Sequence, residues 1–308
     1  MSEFHQPVLL NEVAKYLAVK KNGKYIDATV GGGGHAKAVC QLGGQLLGID
    51  CDPEAINSAR EYLSSFAPQS GASEGLKTTA CPTSWRLVSG NFKDLKQIAL
   101  ANNFAKVDGV LFDLGVSSYQ LTNPKRGFSF NSEALLDMRM DPKITVTAAD
   151  LVNGLNKGEL EELFVKLGQE HFARRIAQAV VEARRLKPIR TCNELAEIIM
   201  SVRRKRGRFD RTHPATRVFQ ALRIAVNDEL NNLRQALPQA LEILNDKGRL
   251  VVISFHSGED RLVKYFLKEM EAQSKLYILT KKPIRPSEQE VKENPRSRSA
   301  KLRAAEKR

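Results

Sequence analysis

Four consecutive glycines, Gly31–Gly34, separate a short apolar run at 25–28 from a helical segment that begins near residue 36. A glycine-rich turn between a strand and a helix lets the backbone adopt positive φ angles and approach a ligand closely. Further apolar runs at 45–50, 86–88, 107–114 and 249–254 alternate with amphipathic segments, which indicates parallel strands joined by helices. The sequence therefore predicts a Rossmann-like α/β fold with a ligand site at this turn.

The strand pattern stops in the middle of the chain. His171–Lys187 and the segment after Thr191 have helical periodicity only, and a basic run at 203–208 follows them. We predict a first part of the α/β domain at 1–127, an inserted helical domain at 128–211, and the second part at 212–308. The stretch 67–85 predicts an exposed loop. The basic tail from 280 to 308 predicts either a disordered terminus or a phosphate-binding extension.

The cofactor is not settled by the glycine turn alone. Gly31-x-Gly33-x-x-Ala36 also fits the dinucleotide fingerprint, which leaves a nicotinamide cofactor open. Asp27, Asp50 and Asp113 end three predicted strands and would meet at one sheet edge. Asp50 suits the ribose of either cofactor, but Asp27 would repel a pyrophosphate. S-adenosylmethionine carries a sulfonium and an ammonium group, so the three acids together favour it.

The net charge, the apolar runs and the cysteine spacing of the sequence indicate which kinds of partner the protein can bind. The 308 residues carry a formal net charge of +13, which favours a polyanionic partner such as nucleic acid. The sequence contains no apolar run of membrane-spanning length, and its four cysteines are scattered without a metal-binding spacing. We expect a cytoplasmic protein with reduced thiols, no membrane association and no metal.

Ordered motifs along nearly the whole chain carry a resemblance. They include Asp27-x-Thr29-x-Gly31-x-Gly33-Gly34-His35, Asp113-Leu114-Gly115-Val116-Ser117-Ser118-x-Gln120-Leu121, Arg126-Gly127-Phe128-Ser129-Phe130, Leu136-Asp137-Met138-Arg139, His213-Pro214-Ala215-Thr216-Arg217 and Ile253-Ser254-Phe255-His256-Ser257. In these motifs the chain resembles the MraW/RsmH-type 16S ribosomal RNA cytosine-N4 methyltransferases. It departs from the usual pattern at Tyr119, Thr122 and Gly258 and over the stretch 67–85.

The resemblance implies a class I methyltransferase domain with a helical insert. It also implies methyl transfer from S-adenosylmethionine to the exocyclic N4 of a cytosine in the decoding region of 16S ribosomal RNA. The substrate would be the RNA itself or the small ribosomal subunit. By motif, the cofactor contacts would be Gly33, Gly34, His35, Asp50, Phe92, Asp113 and Gln120. Phe92 fits either an adenine contact or an ordinary core position.

Catalysis on an exocyclic amine needs an acceptor for its hydrogens, and Asp113, Ser117 and Ser118 are the candidates. The helical insert at 128–211 is the candidate RNA-binding domain, and the candidates for RNA contact are Arg126, Arg139, Arg203, Arg204, Arg206 and His256. Three alternatives stay open: an amino-methyltransferase acting on another RNA or on DNA, a nicotinamide-dependent oxidoreductase, and an RNA-binding protein without activity. The lack of a Pro-Pro-Tyr or Pro-Pro-Trp turn after Asp113 counts against DNA. The sequence leaves the oligomeric state open.

Overall fold

A computed structural model describes residues 7–66, 85–117, 120, 123–130, 133–204 and 213–308. The predicted loop at 67–85, except Trp85, and the departures at Tyr119 and Thr122 lie outside these residues. The helices are α1 Leu10–Leu17, α2 Gly34–Gln41, α3 Pro53–Ser64, α4 Leu95–Ala101, α5 Ala148–Gly154, α6 Lys157–Lys166, α7 Ala173–Leu186, α8 Cys192–Arg204, α9 Thr216–Asn227, α10 Glu229–Ile243, α11 Ser257–Ala272 and α12 Glu288–Glu293. The strands are β1 Lys24–Asp27, β2 Gln45–Asp50, β3 Trp85–Ser89, β4 Val107–Asp113, β5 Leu244–Ser254, β6 Leu276–Ile278 and β7 Lys301–Lys307.

The seven strands form one sheet in the order β3-β2-β1-β4-β5-β7-β6. Strands β1 to β5 are parallel, whereas β7 runs antiparallel between β5 and β6. The chain moves outward from β1 to β3 on one side and then returns to β4 on the other side. The carboxyl ends of β1 and β4 therefore flank the point where the strand order reverses, the usual ligand crevice of such sheets. The predicted Rossmann-like α/β fold is confirmed.

Alternating side chains of the strands supply two cores. Ile26 and Val110 belong to a buried cluster that also includes apolar residues of α4, α10 and α11. Tyr25 and Leu111, one residue away along the same strands, belong to a second cluster with residues of α1, α2 and α3. Because side chains point to opposite faces at successive positions, these strands are buried on both faces and their sequences are continuously apolar.

The C-terminal segment differs from the prediction of a disordered tail. Residues 301–307 form β7, which pairs with both β5 and β6, and Leu302 and Ala304 are fully buried. Arg303 also lies inside because its Nε donates to Asp260 Oδ1 at 2.7 Å. An internal strand with a paired charge replaces the expected disordered terminus over 301–307, and a phosphate-binding extension stays a prediction.

The chain divides into two compact units. The first comprises residues 1–117 and 230–308 and contains the sheet, and the second comprises residues 118–229. The second unit extends further on both sides than the insert at 128–211 that the sequence predicts. Met138 N–H donates to the carbonyl of Arg126, and the Asn227 amide donates to the carbonyl of Met138, so both flanks are tied into this unit.

The second unit is helical. Its helices α5 and α6 each begin with a capping box, formed by Thr147 with Asp150 and by Asn156 with Glu159. Thr191 and Glu194 form the same reciprocal hydrogen bonds ahead of α8. Apolar side chains of the helices are fully buried: Leu160, Phe164, Ile176, Val180, Leu195, Ile199, Val218 and Leu222.

None of the helices in the described part of the chain is both long and apolar enough to cross a membrane.

Candidate active site

The glycine turn between β1 and α2 leaves open space on one side. Gly31 and Gly33 have φ angles of 50° and 85°, which favour glycine. A Cβ atom at Gly32 would meet nothing within 4 Å, and at Gly31 its nearest neighbours would lie 3.9 Å away. At Gly34 it would lie 3.1 Å from the ring of Pro7. The first two glycines therefore leave room for a ligand, whereas Gly34 permits close packing against the N-terminal segment.

Three carboxyl groups lie at the ends of neighbouring strands beside this turn. Burial raises the pKa of Asp27 and of Asp113 from 3.8 to about 7, and that of Asp50 to about 6. After burial, the carboxylates of Asp113 and Asp50 also contribute to the raised pKa of Asp27, while His35 opposes the rise. A cluster of acids held above their ordinary pKa in one crevice is suited to a cationic ligand.

Asp113 is held by its backbone rather than by its carboxyl group. Its N–H donates to Thr29 Oγ1 at 2.6 Å, while Oδ1 is buried without a hydrogen-bond partner in the described part of the chain. Oδ2 lies 3.5 Å from Nδ1 of His35. The nearby carboxylate of Glu259 also raises the pKa of Asp113, after burial. This leaves one acceptor oxygen in a fixed position with no intramolecular role.

His35 is neutral in this arrangement. Its Nε2 lies 2.9 Å from the carbonyl oxygen of Val8, which can only accept, so Nε2 carries the proton. Burial lowers the pKa of His35, although Asp27 opposes this effect. Nδ1 then faces Asp113, with 3.5 Å between it and Oδ2.

Asp50 and Phe92 lie on the β2 and β3 side of the crevice. The two oxygens of Asp50 accept from the N–H groups of Gly31 and Asp52, each at 2.9 Å. Asp52, rather than Asp50, caps α3. Phe92 is half-buried and packs edge-on against Phe112 with ring centroids 5.8 Å apart. Phe92 is therefore a core aromatic with part of its ring exposed, and adenine contact stays a prediction.

The structure describes two of the three other residues predicted for the reaction or the cofactor, Ser117 and Gln120. Ser117 lies beside the glycine turn, with its Cβ 3.9 Å from the position a Cβ of Gly31 would take. Ser118 lies outside the described residues. Gln120 is buried and belongs to the second unit.

Two of the residues predicted to contact RNA, Arg126 and Arg139, have hydrogen-bond partners within the second unit. Arg126 donates to the carbonyl oxygens of Arg139 and Met140, at 3.1 and 3.0 Å. Arg139 forms two hydrogen bonds to Asp137, each of 2.8 Å, which lower the pKa of Asp137 despite its partial burial. Both guanidinium groups thus have structural roles, and RNA contact by them stays a prediction.

The predicted basic run follows α8. Arg203 and Arg204 end that helix, where only their backbone is described. Arg206 lies outside the described residues.

His256 has a structural role at the start of α11. Its Nδ1 accepts from the N–H groups of Gly258 and Glu259, at 3.2 and 3.4 Å, while the Glu259 carboxylate accepts from the N–H of His256. This reciprocal pair is a capping box in which histidine replaces the usual hydroxyl residue. The buried ring is occupied by the helix, and its predicted contact with RNA stays untested.

Three groups at the site were not predicted from the sequence. Thr29 fixes Asp113, the Val8 carbonyl sets the tautomer of His35, and Glu259 raises the pKa of Asp113. Only Glu259 had a local signal, three residues after His256 at the capping-box spacing. The other two act across the fold.

Comparison with known proteins gives consistent matches along the chain. Two curated relatives are named ribosomal RNA small subunit methyltransferase H. One, from Dehalococcoides mccartyi, is 47% identical over 320 residues, covering 98% of this chain and 86% of that protein. The other, from Thermomicrobium roseum, is 45% identical and covers 99% of this chain and 94% of its own length.

Among solved structures, an rRNA methylase from Streptococcus thermophilus aligns with 97% of this chain and 93% of its own. Its TM-score of 0.44 and identity of 11% are too low to support an inference about this chain.

A family model described as the MraW methylase family matches residues 2–308, almost the whole length of the chain. With relatives of 45–47% identity over nearly all residues, this protein belongs to the MraW methylase family.

Proposed function

We propose that this protein transfers a methyl group from S-adenosylmethionine to the exocyclic N4 of a cytosine in the decoding region of 16S ribosomal RNA. Membership of a methylase family supports the reaction class, and the names of the relatives support ribosomal RNA as the substrate. The observation that carries the proposal is the buried carboxyl cluster, in which Oδ1 of Asp113 has no hydrogen-bond partner among the described residues.

The crevice fits a cationic cofactor better than an anionic one. Asp27, Asp50 and Asp113 all have raised pKa values, so a sulfonium and an ammonium group would relieve the cluster. A pyrophosphate would instead raise these pKa values further. S-adenosylmethionine supplies, when bound, a methyl group activated by its positive sulfur.

Individual residues have distinct tasks in holding this cofactor. Asp50, fixed by two backbone amides, can accept hydrogen bonds from ribose hydroxyls with its remaining lone pairs. The glycines Gly31 and Gly32 leave open space for close approach, and the exposed part of Phe92 can pack on an adenine ring. Gly33, Gly34, His35 and Gln120 are proposed to complete this site.

Asp113 is proposed as the group that acts on the target amine. The lone pair of a cytosine N4 is delocalised into the ring, so the amine is a weak nucleophile. A carboxylate can accept a hydrogen bond from the N4 amine, and this hydrogen bond becomes stronger as positive charge develops on the nitrogen. Oδ1 of Asp113 is positioned by Thr29 through the backbone, and Ser117 and Ser118 are the alternative acceptors. The rest of the rate enhancement comes from holding the amine and the methyl group in the orientation for reaction.

The test is methyl transfer with labelled S-adenosylmethionine. The wild-type protein is incubated separately with small ribosomal subunits that lack the modification, with free 16S RNA and with DNA, and the labelled base is mapped. We expect label on a cytosine N4 in the decoding region. Label on DNA, on another RNA or on another atom would contradict this assignment.

A pair of variants tests the role of Asp113. Asp113→Ala is expected to abolish transfer, while Asp246→Ala, an exposed acid near the start of β5, should leave it unchanged. Transfer by Asp113→Ala near the wild-type rate would refute the role of Asp113 without affecting the substrate assignment.

A further inference from the structure

The helical second unit contains a groove whose described lining does not include Arg126, Arg139 or His256. It encloses about 930 Å³ and is lined by the first residue of α6, the two residues before α7, residues of α7 as far as Glu182, and the last turns of α8. The side chains that matter are those of Lys157, His171, Phe172, Arg174 and Arg175. All of them belong to residues 118–229, so the groove lies within one compact unit.

The cations of this groove have no ion-pair partner among the described residues. Arg174 and Arg175 are exposed, and the single carboxylate in the lining, Glu182, accepts instead from Gln178 at 2.6 Å. In the same unit, by contrast, the guanidinium of Arg139 is paired with the carboxylate of Asp137. The groove therefore presents an unneutralised positive surface.

Helix stability does not explain these arginines. Arg174 and Arg175 occupy the first turn of α7, the positive end of the helix dipole, and this turn contains no acidic residue. The N-cap residue is Phe172, which offers no side-chain hydrogen bond to the first turn. Cations at this position interact unfavourably with the helix dipole, so they destabilise α7 instead of stabilising it. An anion held between them would interact favourably with both arginines and with the helix end.

The groove also offers an aromatic surface. Phe172 is half-buried in the lining beside the two arginines, and Ala179 and Val202 add apolar surface. Cations interleaved with an aromatic side chain suit single-stranded RNA, whose phosphates pair with the charges and whose bases stack on the ring. An acidic protein segment would use the charges but has no need of the stacking surface.

We propose that this groove binds a single-stranded segment of the RNA substrate through its phosphates, with Arg174 and Arg175 as the principal contacts. The inference rests on the proposed function, since it assigns a surface to the same substrate. It adds a surface on the helical unit whose described lining does not include Arg126 or Arg139.

The test measures binding of a fluorescently labelled single-stranded oligoribonucleotide to the full chain at several salt concentrations. Each phosphate contact to a single strand contributes about 0.7 to the slope of log affinity against log salt concentration. One contact therefore makes the affinity at 0.1 M salt about fivefold higher relative to that at 1 M salt. Arg174→Ala/Arg175→Ala should therefore lower the slope by about 1.4 and weaken binding about 25-fold at 0.1 M salt. Affinity for S-adenosylmethionine should not change.

A matched control separates the groove from general charge. Arg185→Ala/Arg190→Ala removes the same charge from exposed positions of the same unit that do not line the groove. This control should bind RNA within about twofold of wild type, in line with weak screened interactions at that distance. A second variant, Arg174→Glu/Arg175→Glu, should bind RNA still more weakly without lowering the thermal midpoint, since acids suit the first turn of a helix.

Several results would overturn the proposal. They are unchanged RNA affinity in Arg174→Ala/Arg175→Ala, an equal loss in the control pair, or a loss confined to assembled small subunits with naked RNA binding intact. The last result would indicate a protein partner instead. Wild-type protein that methylates no RNA would refute the proposed function, whereas methylation with an unchanged KM in the groove variant refutes only the groove.

Discussion

Replacing Asp113 by asparagine should stabilise the protein while it removes activity. The substitution preserves the shape of the side chain and removes a charge that burial disfavours. The pKa of Asp113 is raised from 3.8 to about 7, and a shift of this size corresponds to about 4 kcal/mol at pH values above 7. Because 16% of the side chain is exposed to the crevice, water reduces this figure. We expect a gain of about 2–4 kcal/mol.

The gain must depend on pH in a defined direction. Between pH 3.8 and about 7, folded Asp113 keeps a proton that the unfolded chain releases, so the wild-type free energy of unfolding falls as pH rises. Asparagine does not titrate and escapes this loss. The advantage of Asp113→Asn should be about 0.5 kcal/mol at pH 4, about 1.5 kcal/mol at pH 5, and complete by pH 8.

The assay is urea unfolding without cofactor at pH 5 and pH 8. The chain has one tryptophan, Trp85, and it lies on β3 in the same unit as Asp113, so its fluorescence reports the unit of interest. Methyl transfer by the variant should fall at least about 100-fold, the usual effect of removing an electrostatic catalytic group. Equal gains at both pH values, or a destabilised variant, would refute the argument that burial of charge governs this position.

Two other predictions follow from charges in the same unit. Affinity for S-adenosylmethionine should increase from pH 6 to pH 8, because a bound cation lowers the raised pKa values of Asp27, Asp50 and Asp113 and releases protons. Calorimetry in buffers of different ionisation enthalpy measures this proton release. Binding without proton release would contradict contact between the cation and these three acids. Arg303→Met should cost about 2 kcal/mol in urea unfolding, since it removes the 2.7 Å partner of the Asp260 carboxylate and leaves only Lys301 Nζ at 3.4 Å. Asp260→Asn/Arg303→Met should recover part of the loss, which an effect of side-chain packing alone would not do.

The parallel part of the sheet was predictable because its strands are continuously apolar and each ends in a turn. β7 was missed because charged residues alternate with its apolar positions and dominate its composition. Its burial depends on the pairing of Arg303 with Asp260, 43 residues earlier in the chain, which no local pattern reveals. The end of α9 likewise has no local signal, because the residue that ends it with a φ of 49° is Asp228 rather than a glycine.

The site shows the same limit. The positions of Asp27, Asp50 and Asp113 followed from the ends of strands, because parallel strands bring their carboxyl ends to one edge. The contact between Thr29 and Asp113 spans 84 residues and depends on how β1 and β4 align. Sequence pattern identifies which acids meet, whereas the register of the sheet determines which oxygen stays without a partner.

The acid cluster is best explained by the charge of what binds there. Three carboxyl groups with raised pKa values weaken the unliganded fold at neutral pH, and neutral side chains of the same shape would fit more stably. A ligand bearing a diphosphate would add to this cost, while a sulfonium and an ammonium group would offset it. The protein should therefore gain more stability from saturating S-adenosylmethionine at pH 8 than at pH 6, because only ionised acids attract the cation. A ligand-induced shift in unfolding midpoint that is the same at both pH values would mean that the acids do not face the cofactor.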